Sequence, residues 1–222
     1  MNGMRQGVTA PAIRRRKFAR RKTDDSKPAI MLAHDYYQQR GGEDCAVEAE
    51  LRLLSEAGHR TMTFFRHNNE INGNSWWAKG KLGVRAVWSR QSADEMRVAL
   101  QREKPDIVHF HNFLPLLSPA LYYVCKDLNI PVIQTLHNYR LVCPGATLYR
   151  DGKVCEECLG KVVPWPGIVH KCYRQSCLET AAVVAMITTH QLLGTWKDSV
   201  DRYIALTESQ RCLLYTSPSP RD

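Results

Sequence analysis

The sequence lacks any apolar run close to the ~20 residues that a membrane-spanning helix needs. It is also poor in acidic residues, because 22 Asp and Glu stand against 31 Lys and Arg, giving a formal net charge of +9. Most of this excess lies in residues 1–27, where nine basic residues face only Asp24 and Asp25. The remainder is nearly balanced in charge, which argues against a folded face that binds nucleic acid specifically.

Residues 1–27 also lack the apolar stretch of a secretory signal peptide. Their Arg-rich, mixed-polar composition is typical of a disordered segment. We expect a basic tail that is a solvated extension or upstream sequence wrongly included in the gene. The alternative is a cationic arm that binds anionic lipid head groups. We therefore expect a cytoplasmic protein, or one held peripherally at the inner face of the membrane.

From residue 28 to residue 211, short apolar runs alternate with amphipathic segments. We predict strands at 28–34, 61–66, 106–110, from 131, and at 203–206, and helices at 45–57, 92–103, 118–128 and 178–196. Ser92 and Glu95 have the spacing of a capping box, and residues 67–91 have the composition of a loop. Repeated βα order predicts an α/β fold with a doubly wound, parallel, Rossmann-like sheet.

Polar residues follow the predicted strands where ligands bind in open α/β sheets, outside the carboxyl ends. These candidate site residues are Gly41, Gly42 and Glu43 after the first strand, His109, His111 and Asn112 at the third, and His137 and Asn138 at the fourth. A glycine-containing loop that opens a helix can direct backbone N–H groups at a phosphate. His109 and His111 fit equally well as buried, hydrogen-bonded histidines.

Residues 141–177 interrupt the βα pattern and contain five of the eight cysteines. Four thiolates can hold a structural zinc ion at ~2.3 Å in tetrahedral geometry. We expect the ligands to be Cys143, Cys155, Cys158 and Cys172, with Cys177 left out and His170 as a substitute ligand. Disulfides and a redox Cys-x-x-Cys are the alternatives, the first disfavoured without a secretion signal. No catalytic metal is expected.

Residues 212–222 show no helical or strand periodicity. They resemble the translated end of a sequencing adaptor fused to an incomplete gene, so we expect the natural sequence to end near Arg211. The helix that begins at Ser209 is expected not to continue.

Several stretches together resemble glycosyltransferase family 4. They are Asp35-Tyr36-Tyr37 with Gly41-Gly42-Glu43, Pro105 to Asn112, Pro131 to Tyr139, and Tyr203 to Thr207. The cysteine-containing stretch is similar to a subset of this family. The resemblance covers about residues 28–211 and implies the amino-terminal, acceptor-side half of a GT-B enzyme. The carboxyl-terminal domain that binds the donor would then be missing. Residues 1–211 alone are therefore expected not to catalyse sugar transfer.

The resemblance implies a hexosyltransferase-like enzyme that transfers a sugar from a nucleotide-sugar donor to a lipid-linked or polysaccharide acceptor, with retention at the anomeric carbon. It places Gly41 and Gly42 near the donor phosphates and the acceptor, and His137, the candidate catalytic residue, at the transferred sugar. Two other functions stay open from the residues. One is a non-catalytic α/β domain with an acceptor-binding or regulatory function. The other is a zinc-stabilised nucleic-acid-binding module.

Overall fold

A computed structural model of the chain describes residues 27–71 and 76–216, with side chains omitted at 76–79 and 214–216. The expected tail at 1–26 and the last residues, 217–222, lie outside the described residues. The strands are β1 (Ile30–Tyr36), β2 (Thr61–His67), β3 (Ile107–Phe110), β4 (Val132–Leu136), β5 (Tyr149–Arg150), β6 (Lys153–Val154) and β7 (Arg202–Ala205). The helices are α1 (Gly42–Glu56), α2 (Trp76–Val87), α3 (Arg90–Glu103), α4 (Ala120–Asp127), α5 (Pro166–Val169), α6 (Cys177–Leu192), α7 (Thr195–Asp198) and α8 (Glu208–Thr216), with a 3₁₀ turn at Asn68–Glu70.

Five parallel strands form the main sheet in the order β2-β1-β3-β4-β7. The chain moves outward from β1 to β2, returns to β3 on the other side of β1, and then continues outward. The strand order therefore reverses between β1 and β3, and a crevice opens there at the carboxyl ends. The predicted parallel, Rossmann-like α/β sheet is confirmed.

The two faces of the sheet differ in polarity because successive side chains of a strand point to opposite faces. Met31, Ala33, Val108 and Phe110 belong to the main apolar core, together with buried residues of α3, α4 and α6. The alternate positions include two buried histidines of β1 and β3, which contact α1. Helix α1 therefore covers a partly polar face that leads to the crevice.

The segment 67–91 is not a loop, so that prediction is wrong. It contains the 3₁₀ turn, helix α2 and the start of α3. A Cβ placed on Gly83 of α2 would lie 3.0 Å from Cβ of Ala182 in α6. Glycine at this position lets α2 and α6 approach closely. The ring of Trp88 packs on Tyr123 and His190, at centroid distances of 5.2 and 5.7 Å.

Helix α3 begins earlier than predicted, because its N-cap is Ser89 and not Ser92. The Oγ of Ser89 accepts a hydrogen bond from the backbone N–H of Ser92 at 3.2 Å. Ser92 is buried and its hydroxyl donates to the carbonyl oxygen of Leu116 at 2.9 Å. Two serines three residues apart are both good N-caps by sequence, and the tertiary contact decides between them.

The later helices also differ from expectation in their ends. The predicted helix 178–196 is divided into α6 and α7 by Gly194, whose φ of 67° is left-handed. Helix α8 continues to Thr216, so the expectation that no helix extends beyond Arg211 is wrong for residues 212–216. No helix among residues 27–71 and 76–216 is long and apolar enough to cross a membrane.

Candidate functional site

The crevice is bordered by the segments that follow β1, β3 and β4. Gly41 precedes α1, His111 and Asn112 follow β3, and His137 follows β4. Strand pairing brings these segments to one edge of the sheet, as predicted. The space beside His137 is small, about 20 Å³, and is lined by residues 111–113, 134–138, 140 and 141.

Three imidazoles and one carboxylate form the polar centre of the crevice. The Nδ1 of His109 lies 2.6 Å from Oε1 of Glu50, and its Nε2 lies 2.7 Å from Oγ1 of Thr135. His111 Nδ1 lies 2.9 Å from Nε2 of His137, and its Nε2 lies 3.5 Å from the second oxygen of Glu50. Glu50, His111 and His137 therefore lie in a row that ends at the crevice, with a hydrogen bond between the two imidazoles and a longer approach of 3.5 Å between His111 and Glu50.

The environment favours neutral imidazoles in this row. Burial lowers the pKa of His111 well below its usual range, and the neighbouring histidines lower it further. Burial also lowers the pKa of His137, against the opposing effect of the Glu43 and Glu50 carboxylates. Desolvation disfavours the charged form of a group. At neutral pH, each of these two rings therefore carries one N–H and one lone pair.

The structure places His109 and His111 in different surroundings. His109 is buried, and both its ring nitrogens have partners, the behaviour of a structural histidine. His111 is also buried, but it connects Glu50 to His137, and its Nε2 has no hydrogen bond within the usual distance. His111 therefore lies between the Glu50 carboxylate and the residue at the crevice.

Glu50 was missed by the sequence predictions. It lies on α1 three residues after the fully buried Val47, so both face the sheet. An acidic residue on the buried face of an amphipathic helix is a signal for a buried partner. Its partners, His109 and His111, are about sixty residues away in the sequence, so the pairing itself could not be predicted from the sequence.

A second carboxylate connects the first loop to the fourth strand. Glu43 accepts hydrogen bonds from the hydroxyl of Tyr37 at 2.9 Å and from Nδ2 of Asn138 at 2.7 Å. Both predicted residues, Glu43 and Asn138, therefore lie at the crevice and position each other. The Asn138 amide in turn directs the segment that follows His137, since its Oδ1 accepts from the backbone N–H of Arg140 at 2.9 Å.

The glycine loop ends at the first turn of α1. Gly41 has an extended backbone with φ of −113°, and its N–H donates to Oδ2 of the buried Asp44 at 2.9 Å. A Cβ placed on Gly42 would meet no atom within 4 Å, so the space in front of this turn is open. The first backbone N–H groups of a helix have no partner inside the helix. Those of Gly42 and Glu43 can therefore serve a ligand.

Asn112 lies at the predicted edge but is occupied within the chain. Its Nδ2 donates to the carbonyl oxygens of Asp35 and Leu114, and its Oδ1 accepts from the N–H of Leu114. The structure therefore places Asn112 as a brace for the segment after β3. The buried Asp35 reinforces the same segment, since its Oδ2 accepts from the N–H of Leu116 at 2.7 Å.

A larger cavity of about 370 Å³ lies on the other side of the glycine loop. It is lined by aromatic and charged side chains, which include Tyr36, Tyr37, Arg40, Glu48, Phe65 and His67. The rings of Tyr36 and His67 stack with centroids 4.6 Å apart. Aromatic faces beside charged and polar groups suit a sugar or another amphipathic ligand. The sequence predictions did not identify this cavity.

The residues predicted to hold zinc lie in the segment that contains β5, β6 and α5. Cys143 and Cys158 are buried, and Cys155 and Cys172 are half-buried. Burial raises the pKa of the Cys158 thiol to about 11, and the thiols of Cys143, Cys172 and Cys155 contribute to the shift. Cys177 is exposed, and the predicted substitute His170 pairs with Glu157 at 3.2 Å.

Among residues 27–71 and 76–216, one group offers three ligand atoms within 4.8 Å of one another, namely Glu50, His109 and His111. Hydrogen bonds to Glu50 and Thr135 account for both nitrogens of His109 without an ion. The sulfurs of the four cysteines do not meet this spacing, so they are more widely separated than ligands around a bound ion.

Comparison with known proteins identifies the family. The model of Glycosyltransferase Family 4 matches residues 47–186, more than half of the chain, including Glu50, His137 and the cysteine segment. No curated protein matches the chain. Among solved structures, it is similar to the crystal structure of a GDP-L-fucose synthetase from Naegleria fowleri, with 12% identity and a TM-score of 0.35. That alignment covers 81% of this chain and 49% of the synthetase chain, so the chain spans about half the length of that relative. With a matching family model over most of its βα region, the chain belongs to glycosyltransferase family 4.

Proposed function

We propose that the chain takes part in the transfer of a sugar from a nucleotide-sugar donor to a hydroxyl of a lipid-linked or polysaccharide acceptor. The transfer would retain the configuration of the anomeric carbon and serve the synthesis of surface glycans. The observation that carries this proposal is the position of His137. The chain belongs to a family of sugar transferases. Its His137 lies at the crevice where the strand order reverses, next to the open first turn of α1.

We assign His137 to accept a hydrogen bond from a sugar hydroxyl. If the single N–H of His111 lies on Nε2, it points to Glu50, the anionic group beside it. The Nδ1 of His111 then accepts from the Nε2–H of His137 across 2.9 Å. This arrangement leaves the lone pair of His137 on Nδ1, for which no partner exists among the described residues. A positioned acceptor can orient a hydroxyl and assist its deprotonation.

The first turn of α1 is assigned to the donor phosphates. When the bond between the anomeric carbon and the phosphate oxygen breaks, negative charge builds on the departing nucleoside diphosphate. Backbone N–H groups at a helix N-terminus stabilise such charge. Gly42 leaves room for a close approach. Glu43 is itself acidic and would repel a phosphate, so we assign it to sugar hydroxyls together with Asn138. No covalent nucleophile is assigned.

We also propose that the protein acts in the cytoplasm, with residues 1–27 contacting anionic lipid head groups at the inner face of the membrane. Lys and Arg near such a surface each contribute about 1 kcal/mol to binding. A lipid-linked acceptor would be presented at this surface. The basic tail would then increase the time that the crevice spends near its acceptor.

The test of the function is sugar transfer by the purified protein. Radiolabelled nucleotide sugars, including UDP-glucose and GDP-mannose, are combined with lipid-linked and oligosaccharide acceptors, and the product is separated from the donor. His137→Ala should lower transfer by at least ~10-fold, in the range of a lost positioning or acid–base group. His59→Ala is the control, because His59 is half-buried and lies outside the crevice, with its Nδ1 2.9 Å from the carbonyl oxygen of Pro28. Transfer that is unchanged in His137→Ala, or a wild-type protein that binds none of these donors and acceptors, would count against the proposal, whereas the absence of turnover by residues 1–211 alone is the expected result.

The proposed arrangement of protons has its own test. In ¹⁵N-labelled protein, imidazole nitrogen shifts distinguish a protonated from an unprotonated ring nitrogen. His137 should show a protonated Nε2 and an unprotonated Nδ1. Glu50→Gln should weaken this preference, because an amide no longer attracts the His111 N–H through a full charge. The exposed Glu56 lies on the same helix, and Glu56→Gln should leave the His137 signals unchanged. A His137 protonated on Nδ1 in the unmodified protein would contradict the assignment.

A further inference from the structure

We propose that Glu50, His109 and His111 bind one divalent transition-metal ion beside the crevice, with zinc as the best match. The three side chains offer two imidazole nitrogens and one carboxylate, and their ligand atoms lie within 4.8 Å of one another. A buried nitrogen of His111 without a hydrogen bond and the partners on the far side of both rings also favour an ion here. Metal binding at this site is independent of the reaction proposed above.

A strand and a helix hold the three side chains in place. His109 lies in β3 and His111 follows two residues later, so both side chains leave the same face of the strand. Pairing with β1 extends to this point, since the N–H of His111 donates to the carbonyl oxygen of Ala33 at 3.0 Å. The two ring centroids lie 4.4 Å apart, and α1 brings Glu50 to both rings. Ligands on regular elements keep their relative positions better than ligands on loops.

The distances fit an ion after a small adjustment. Zinc binds histidine nitrogen and carboxylate oxygen at about 2.0–2.2 Å, so neighbouring ligand atoms of a tetrahedral site lie about 3.4 Å apart. Nε2 of His111 lies 3.5 Å from one carboxylate oxygen of Glu50, close to that spacing. Nδ1 of His109 lies 2.6 Å from the other oxygen, which is the distance of a hydrogen bond. An ion in place of the shared proton would widen this second distance by less than about 1 Å.

His111 directs an unpartnered nitrogen at the carboxylate. Its side chain is 1% exposed, and its Nε2 has no hydrogen bond within the part of the chain that the structure describes. The 3.5 Å to Glu50 exceeds the usual length of a hydrogen bond. Burial lowers the pKa of His111, so the ring is neutral and can offer a lone pair to a metal. An ion between His111 and Glu50 would satisfy a polar atom that otherwise lacks a partner.

Each ring also has a partner on its other nitrogen, as metal-binding histidines do. Nε2 of His109 lies 2.7 Å from Oγ1 of Thr135, and Nδ1 of His111 lies 2.9 Å from Nε2 of His137. With an ion on Nδ1, His109 carries its proton on Nε2 and donates it to Thr135. Without an ion, His109 donates from Nδ1 to Glu50, and the threonine hydroxyl becomes the donor. Because a hydroxyl can donate or accept, Thr135 satisfies His109 in both states.

The site is accessible on its carboxylate side. The side chain of Glu50 is 31% exposed, although both histidines are buried. Zinc bound by two histidines and one glutamate commonly keeps a water molecule or a substrate atom as its fourth ligand. The ligands also select the ion, because imidazole nitrogen suits zinc, whereas magnesium and calcium prefer oxygen.

The neighbouring His34 is not part of the ligand set. Its Nε2 lies 2.8 Å from Oδ1 of the buried Asp44, and its Nδ1 accepts from the backbone N–H of Asn112 at 3.3 Å. Both nitrogens of His34 therefore have partners, in contrast to those of His111. This difference limits the proposed site to Glu50, His109 and His111.

Metal binding has a consequence for the crevice. An ion on Nε2 of His111 leaves the single proton of that ring on Nδ1, which then donates to Nε2 of His137 across 2.9 Å. The neutral His137 ring must carry its own proton on Nδ1, where it presents a donor to the crevice. Without an ion, the same Nδ1 is an acceptor, as assigned above. The ion therefore reverses the hydrogen-bonding character of His137.

The experiment follows the imidazole nitrogens of the ¹⁵N-labelled full chain, from which metal has been stripped with a chelator that is then removed. Zinc is added in excess over the eight cysteines, so thiols cannot deplete it. Nδ1 of His109 and Nε2 of His111 should move to the chemical shift of a metal-bound nitrogen. The proton of His137 should move from Nε2 to Nδ1. Magnesium at the same concentration should leave all three rings unchanged.

Glu50→Gln tests the carboxylate ligand. The zinc concentration that half-saturates the His111 signal should rise at least ~10-fold, because loss of even an outer partner of a ligand costs roughly 10–100-fold in affinity. Glu56→Gln, at an exposed position of the same helix, is the matched control and should leave that concentration unchanged. The nitrogen shifts of the wild type need no variant, so they test the site even if Glu50→Gln does not fold.

Three results would contradict the proposal. Nitrogens of His109 and His111 that keep their shifts in excess zinc would overturn the site. Equal loss of affinity in Glu50→Gln and Glu56→Gln would remove Glu50 from the ligands. An equal response to magnesium would overturn the assignment to an ion that prefers imidazole. Sugar transfer is measured separately, so its failure would leave these results unaffected.

Discussion

Replacement of Asp35 by asparagine should change how the stability of this protein depends on pH. Asp35 is fully buried at the carboxyl end of β1, directly below the crevice. Its Oδ2 accepts a hydrogen bond from the N–H of Leu116 at 2.7 Å, and its Oδ1 has no partner. Asparagine preserves the shape and the accepting oxygen but carries no charge. The substitution therefore isolates the effect of a buried, ionisable carboxyl.

The magnitude follows from the shift in pKa. Burial raises the pKa of Asp35 from 3.8 to about 7 in the folded protein. The folded state therefore holds the proton more tightly than the unfolded chain. The stabilisation from this proton is complete below the unfolded pKa and is lost as pH rises through the folded pKa. Between about pH 5 and pH 8, this stabilisation falls over roughly two pH units, up to the folded pKa. The free energy of unfolding therefore decreases by about 2–3 kcal/mol.

The assay is urea denaturation of the wild type and Asp35→Asn at about pH 5 and pH 8, with the free energy of unfolding taken from linear extrapolation. The uncharged amide of the variant loses no such stabilisation as pH rises. The difference between variant and wild type should therefore favour the variant by about 2–3 kcal/mol more at the higher pH. Asp94→Asn, at an exposed position of α3, is the control and should show no such change. Parallel pH profiles for the wild type and Asp35→Asn would show that ionisation of Asp35 does not affect stability.

Two further predictions concern helix α2 and the basic tail. Gly80→Ala should stabilise the protein by about 0.5–1 kcal/mol, because a Cβ there meets nothing within 4 Å and alanine favours a helix. Gly83→Ala should not show this gain, because its methyl group would overpack against α6. The melting temperature of Gly83→Ala should therefore be lower than that of Gly80→Ala. Equal stabilisation by both substitutions would contradict the close approach of α2 and α6. Deletion of residues 1–27 should abolish co-sedimentation with vesicles that contain anionic lipid and should also remove any salt-sensitive DNA binding. Vesicle binding that survives the deletion would place the lipid contact elsewhere.

Strand positions were the most predictable part of the fold. Buried parallel strands are short, continuous apolar runs, and each predicted strand overlaps one of the five strands of the main sheet. Helix α2 was missed because Gly80 and Gly83 are poor helix formers, and only contact with α6 explains Gly83. The N-cap of α3 was misplaced because Ser89 and Ser92 have equal local preference, and burial of Ser92 decides the outcome.

The candidate site was predicted in part. His137 and Asn138 lie at the crevice because the residue after a strand must emerge at its carboxyl end. Glu50 was not identified, although it contacts two of the predicted histidines. Asn112 proved to be occupied by hydrogen bonds within the chain. A side chain's partners depend on which helix covers which face, and local sequence does not contain that information.

Most strands and helices, and the polar residues that follow the strands, could be located from the amino-acid sequence, because apolar periodicity is a property of neighbouring residues. The sequence also shows the family resemblance and the spacing of the cysteines. The pairing of β1 with β3, the position of α1 over the histidines and the proximity of Glu50, His111 and His137 became visible in the three-dimensional fold. The reason is that pairing of distant segments is decided by burial and hydrogen bonding across the whole core, where residues far apart in the chain become neighbours.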